Sequence, residues 1–289
     1  MIAVRWRRVL ALVLTLVVVG CAPSLPRDPL PAVPPETLDL CCARTETSPR
    51  FFVALIDRYA ETVQPWLRRV ELRRPWLSGH PEALRKVLDL AEPLDVLTVS
   101  MKFHLGGRMS NGVMTHALIY VGSEAELRRI GLWSHPALRP WQDAIRSGAR
   151  FVEAIDPAVR FAAPNVALRV DSVAIYRPRL APTARARALG VLMGQIGAGF
   201  NPHFRLDGDD CLFCTELVAR AMPGLGLKVR EVYGRPTILP DDLAAMALRG
   251  DGGLRFVAYL RGRRDGWDLL GPEALTADLA AAWAGLRKP

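Results

Sequence analysis

The spacing of apolar residues changes along this chain, and each change marks an element. Phe52, Ile56, Tyr59, Val63, Trp66 and Val70 recur every three or four residues, with Arg58, Arg68 and Arg69 off that face. This period predicts an amphipathic helix of about twenty residues, which Pro75 stops. A shorter helix is expected from Pro81, through Leu84, Val87 and Leu88, to about Ala91, with the proline in its first turn. Strand-like runs follow: Leu94 to Val99, His116 to Val121, Phe151 to Ile155, Val166 to Val170, Val173 to Tyr176 and Leu254 to Leu260. Helical spacing returns in Leu189, Leu192, Met193 and Ile196 after Pro182, in Leu217, Val218 and Ala221 after Cys214, and in Leu275, Leu279, Trp283 and Leu286. A Gly/Met-rich loop, Gly106 to Met114, and an irregular tryptophan and proline insertion, Trp133 to Trp141, interrupt these runs. Together they predict an α+β fold, a small antiparallel sheet packed against helices with an N-terminal helical extension over residues 51–91.

The first twenty residues follow different rules. Arg5, Arg7 and Arg8 precede the apolar run Val9 to Val19, which is too short for a stable membrane span and reads as a signal peptide over residues 1–20. Val18-Val19-Gly20-Cys21 resembles a bacterial lipoprotein box, in which Cys21 would be lipidated and become the mature N-terminus. Ala22 stands where inner-membrane retention calls for aspartate, so the expected location is the cell envelope, at the periplasmic face of the outer membrane. Residues 21–50 are rich in proline and lose apolar periodicity, as a tether would. With 289 residues, half of them apolar, the remainder can bury a sizeable core. Loss of the three arginines lowers the formal charge from +9 to +6, a balance that favours anionic surfaces, whereas an exported chain has little access to nucleic acid.

If Cys21 is lipidated, Cys41, Cys42, Cys211 and Cys214 remain. An oxidising compartment permits disulfides, and any bridge is expected between Cys211 and Cys41 or Cys42, because a nucleophile must stay reduced. Adjacent Cys41-Cys42 lacks the spacing of a four-thiolate zinc site, and no metal or cofactor is expected. Cys211-x-x-Cys214 leaves a redox reading open, although the strand-helix-strand context of such motifs does not precede it.

Cys214 is the chemically distinctive residue. At the start of a helix, a thiol faces free backbone N–H groups and the positive end of the helix dipole, a setting suited to a nucleophile if a histidine supplies the base. His80 sits at an expected helix start, and His104, His135 and His203 fall in loops. His116 alone opens a strand, sharing a face with Leu118 and Tyr120, where a rigid element would hold its ring. A strand-end histidine can equally be structural. Glu153 lies in an apolar strand, a costly place for a carboxylate without a partner, and His116 on an adjacent strand could supply one; an edge strand with Glu153 in water is the alternative. Asp95 is a comparable lone carboxylate, either an orienting residue or a structural acceptor.

The patterns flanking these residues resemble a known family. Met114-Thr115-His116-Ala117-Leu118-Ile119-Tyr120-Val121-Gly122, Val152-Glu153-Ala154, Phe213-Cys214-Thr215-Glu216-Leu217-Val218 and Pro240-Asp241-Asp242-Leu243 are similar to motifs of the circularly permuted papain-like amidases, the YiiX/YaeF-like relatives of NlpC-type cell-wall peptidases. The similarity covers roughly residues 92–245; Leu94 stands where the family has glycine, and Phe213 where it has tyrosine. It implies a permuted papain-like catalytic domain over residues 92–262, followed by a C-terminal helix over 263–289. It also implies a Cys214-His116-Glu153 triad that hydrolyses, or transfers, the acyl group of an amide or ester substrate through a thioester. Cell-wall peptides and N-acyl amides are the substrate classes this suggests. A non-catalytic envelope lipoprotein that keeps the fold as a binding module is the competing class.

Overall fold

The structure, a computed structural model, describes residues 33–38, 46, 49–110, 112–206 and 211–284, with only the backbone of Phe52. The expectations for the signal peptide, Cys21, Cys41 and Cys42 lie outside the described residues.

The first helical period divides into α1 (Arg50–Arg58) and α2 (Ala60–Arg69), which meet at Tyr59 with φ −115° and ψ 20°. This corrects the expected single helix. Tyr59 and Trp66, assigned to its inner face by spacing, point outward at 52% and 49% exposure, and Leu67 is buried instead. After α3 (Pro81–Leu90) come β1 (Val96–Ser100), α4 (Leu105–Met109), β2 (His116–Tyr120), α5 (Glu124–Arg129), α6 (Gln142–Arg146), β3 (Phe151–Ile155) and β4 (Ala158–Ala162). Then follow α7 (Pro164–Ala167), β5 (Ser172–Pro178), α8 (Pro182–Gly194), β6 (Gly199–Phe200), β7 (Cys211–Leu212) and α9 (Cys214–Ala221). The chain ends with β8 (Arg230–Val232), β9 (Arg235–Thr237), α10 (Pro240–Arg249), β10 (Leu254–Arg263), β11 (Gly266–Leu270) and α11 (Pro272–Ala284).

An α+β architecture is therefore present, but its sheet is not small. Among the described residues nine strands run in the order β11-β10-β5-β1-β2-β3-β4-β6-β7, antiparallel at every step except β6 to β7. β4 and β11 escaped the sequence pattern because Arg160, Gly266 and Asp268 interrupt their apolar runs. The segment expected to be only a C-terminal helix thus supplies β11 before α11 begins at Pro272, and Leu286 lies outside the described residues. Val166 and Ala167, expected in a strand, close α7 instead, since Pro164 at its first position fixes a helical φ. α4 likewise occupies half of the expected Gly/Met loop, and Pro136–Trp141 in the tryptophan-rich insertion forms a 3-10 turn. Part of the proline-rich tether is also folded: Pro35–Thr37 make a 3-10 turn and Leu38 is buried in the core.

Both faces of the central strands are covered, which is why they read as continuous apolar runs. Ala117, Ile119, Val152, Ala154 and Tyr176 pack on one side with residues of α8, α9, α10 and α11. Leu118, Tyr120, Phe151 and Ile175 pack on the other with Ala83 and Val87 of α3. Leu94, at the position of the resembled glycine, takes a left-handed φ of 74° with its side chain buried. Burial of that side chain offsets a backbone conformation costing on the order of 1–3 kcal/mol. Among the described residues no helix is long and apolar enough to cross a membrane.

Leu118 is fully buried at the centre of the sheet. Its truncation, Leu118→Ala, is expected to lower unfolding free energy by about 2–5 kcal/mol in urea titrations, with the m-value unchanged.

Candidate active site

The site forms where three strands stop. β1 pairs with β2 so that Val99 faces His116, placing His116 at the end of the sheet from which the β1 chain leaves. β3 runs beside β2, with Ile119 opposite Val152, so Glu153 falls on the face that carries His116 and Leu118. β4 covers the other side of β3 in a register that sets Arg160 opposite Glu153. Glu153 is therefore on an interior strand, 3% exposed, and the edge-strand alternative does not hold.

α9 begins directly at Cys214. Phe213 is its N-cap in extended conformation and makes no side-chain capping bond, so the first turn keeps its backbone donors for other use. Leu217, Val218 and Ala221 anchor the helix against β2 and β3. Thr215 donates its hydroxyl to the Ile238 carbonyl at 2.6 Å, tying the first turn to the segment before α10. Phe213 stacks edge-on with Phe204, and Phe204 with Phe200, so the turn before the cysteine is pinned by aromatic packing.

These constraints bring Cys214, His116 and Glu153 together. His116 Nε2 lies 2.9 Å from Glu153 Oε2, and the Cys214 side chain acts on the same imidazole from the helix start. Arg160 donates to Glu153 Oε1 from Nε at 3.1 Å and from Nη2 at 2.9 Å. Burial by itself would depress His116. The hydrogen bond and charge of Cys214, followed by those of Glu153, overcome it and push the ring up to about 9. Burial would likewise raise Glu153, but the hydrogen bond and charge of His116, with Arg160 beside them, hold it below the ordinary carboxylate range. The ring is thus stabilised as imidazolium between sulfur and carboxylate. Such an arrangement can move a proton between sulfur and a third party while its tautomer stays fixed.

The other sequence candidates lie elsewhere. Asp95 is at the opposite end of β1, held by Arg177 Nη2 at 2.8 Å and by the Glu92 N–H at 2.8 Å, and serves as a structural acceptor. His80 faces Glu82, His135 accepts from the Ala137 N–H, and His203 meets Asp57 at 2.7 Å. Cys211 and Cys214 are both free thiols, Cys214 buried and Cys211 half-buried. Among the described residues no three His, Cys, Asp or Glu side chains are grouped to hold a metal ion.

Two contributors were missed. Arg160 had no local signal, because its role comes from strand register. Asp241 belongs to a noticed motif, yet its backbone partners are more than a hundred residues away and its indole partner lies in α11. Its carboxylate accepts the Val113 and Met114 N–H groups at 3.0 and 2.7 Å and the Trp283 indole N–H at 2.7 Å. It thereby clamps the segment leading into His116. Gly112 permits this approach, since a Cβ there would lie 2.7 Å from Asp241 Oδ2. Burial raises Asp241 to about 6, against the opposing pull of these hydrogen bonds and the Lys102 charge. His104 is also buried, its Nδ1 accepting the Gly107 N–H, and burial holds the ring down to about 4, so it stays neutral near pH 7.

Comparisons with protein-family models, curated proteins and solved structures found no match to this chain.

His116 binds its proton more tightly folded than unfolded, so its contribution is complete below about pH 6.5 and is lost as pH rises through about 9. Thermal unfolding midpoints are expected to fall across that window, and His116→Ala to flatten the slope. Asp241→Asn sets an amide against three N–H donors. It is expected to cost about 2–4 kcal/mol in denaturant unfolding and to remove the decline in stability between pH 3.8 and about 6 that the raised carboxyl produces.

Proposed function

We propose that this protein is a cysteine hydrolase of the circularly permuted papain-like type, acting on an amide or ester through Cys214, His116 and Glu153. One observation carries this reading: His116 is held between a helix-opening thiol and a buried carboxylate, although the three residues come from β2, β3 and α9. The chain order of histidine, glutamate and cysteine matches the permuted order implied by the motifs.

In this mechanism His116 draws the proton from the Cys214 thiol, and the sulfur attacks the carbonyl carbon to form a C–S bond. The carbonyl electron pair moves to oxygen, where the Cys214 backbone N–H at the uncapped helix start donates to it. As the pair returns, the bond to the leaving amine or alcohol breaks, and His116 gives that group its proton. Water then attacks the thioester with His116 as base, releasing the acid and restoring the thiol. Glu153 keeps the ring oriented, and Arg160 keeps Glu153 ionised. An acyltransferase would replace water with another nucleophile.

The location belongs to the same proposal. Lipidated Cys21 would anchor the protein in the bacterial envelope, at the periplasmic face of the outer membrane, where peptidoglycan peptides and N-acyl amides are both within reach. A panel of these two substrate classes, run with wild type and Cys214→Ala, tests the reaction. Hydrolysis should fall at least about a thousandfold in the variant, as expected for loss of a nucleophile.

Alkylation tests the nucleophile without a substrate. Accessibility alone predicts faster labelling of half-buried Cys211 than of buried Cys214. Iodoacetamide at neutral pH is expected to label Cys214 much faster, with the preference lost in His116→Ala. Slow, equal labelling of both thiols would sink the assignment. The rate of hydrolysis should also fall as pH passes about 9, because His116 then loses the proton needed by the leaving group.

A further inference from the structure

The helices that precede the catalytic sheet carry their apolar residues on the outside. Phe51, Leu55 and Tyr59 follow one another at intervals of four, 76%, 53% and 52% exposed. In α2 the row passes through Thr62 to Trp66, 49% exposed, and to Arg69. Arg58 stands within the same row and is exposed. The orientation is fixed from the inner side. Asp57 faces His203 at 2.7 Å and Arg235 at 3.0 Å, and Arg68 donates to the Asp156 carbonyl at 3.2 Å, just past the strand that bears Glu153. Polar contacts thus hold α1 and α2 on the body while the apolar row points to solvent, an arrangement that costs hydrophobic free energy unless something covers it.

We propose that this row docks on an anionic phospholipid surface, with Phe51, Leu55, Tyr59 and Trp66 entering the interface and Arg58 and Arg69 meeting the headgroups. Tryptophan, tyrosine and leucine beside arginine are the composition that interfacial helices use. The charges select the occupant. Asp57 is turned inward to its two cationic partners, and Glu61 sits about a quarter-turn off the row. A second copy related by a two-fold axis would press the arginines of one row toward those of the other without a carboxylate between them. Anionic headgroups supply the missing charge. The apolar run Val9 to Val19 and Cys21 lie upstream in the same chain, so an independent element for bringing this face to a bilayer precedes it. Docking would set the Asp156 end of the sheet, where His116 and Glu153 meet, toward the lipid.

The test reads position rather than activity and does not depend on the hydrolase reading. Full-length protein is reconstituted into phosphatidylcholine vesicles with brominated acyl chains, with and without phosphatidylglycerol, and tryptophan quenching is recorded. The seven tryptophans require a difference measurement. A quenched component should be present in wild type and lost in Trp66→Phe, and Leu55→Trp in that background should restore it. It should also shrink without phosphatidylglycerol and in Phe51→Ser. Equal quenching of wild type and Trp66→Phe would place Trp66 in water on an anchored protein and overturn the proposal. So would a dimer in lipid-free detergent that Phe51→Ser dissociates, since the row would then be covered by a second copy.

Discussion

The hydrogen bond between His116 and Glu153 is the constraint on which the site depends. A buried carboxylate is costly unless it is paired, and one facing a neutral ring and nothing else would gain a proton rather than remain charged. Here each oxygen has its own partner, His116 on one and Arg160 on the other. Glu153 is consequently held ionised, and its charge helps to hold the imidazole protonated against burial. Remove the carboxylate, and a cationic ring 7% exposed would lose one of the two groups that stabilise it.

The fold explains how such a pair can be kept in register. β1, β2 and β3 are buried on both faces, so a one-residue slip of β3 would turn Glu153 toward the α9 side and bring an apolar neighbour to His116. The hydrophobic packing that fixes register therefore also fixes the proton path. On the cysteine side the same function falls to α9, whose buried Leu217 and Val218 set the height of its first turn above β2. The loop entering His116 is held by Asp241, whose carboxylate accepts the Val113 and Met114 N–H groups, and by the Thr115 N–H bond to the Val99 carbonyl. Sheet register, helix packing and one buried clamp thus meet at one imidazole.

The outward face of α1 and α2 separates two kinds of amphipathicity. Spacing alone assigned Tyr59 and Trp66 to a core face, since a helix with an apolar stripe normally buries it. The ion pairs of Asp57 and the Arg68 contact with Asp156 turn a different face inward. A period can identify the stripe but not its partner.

What the sequence determined by itself was local. Short, nearly continuous apolar runs located the central strands, prolines at first helical positions located α3 and α8, and the thiol at a helix start singled out Cys214. The motif resemblance added His116 and Glu153 as its companions. Strands with a charge in them, such as β4, and proline-led turns such as α7 were misread because their conformation follows from neighbours rather than from their own pattern. Tertiary structure alone decided that Glu153 has Arg160 opposite it, that Asp95 serves Arg177 at the far end of β1, and that Asp241 reaches back across the chain to Val113 and Met114. The physical reason is common to all three: a buried charge is satisfied by whichever group the sheet register and helix packing bring within hydrogen-bonding reach, and sequence distance carries no information about that reach.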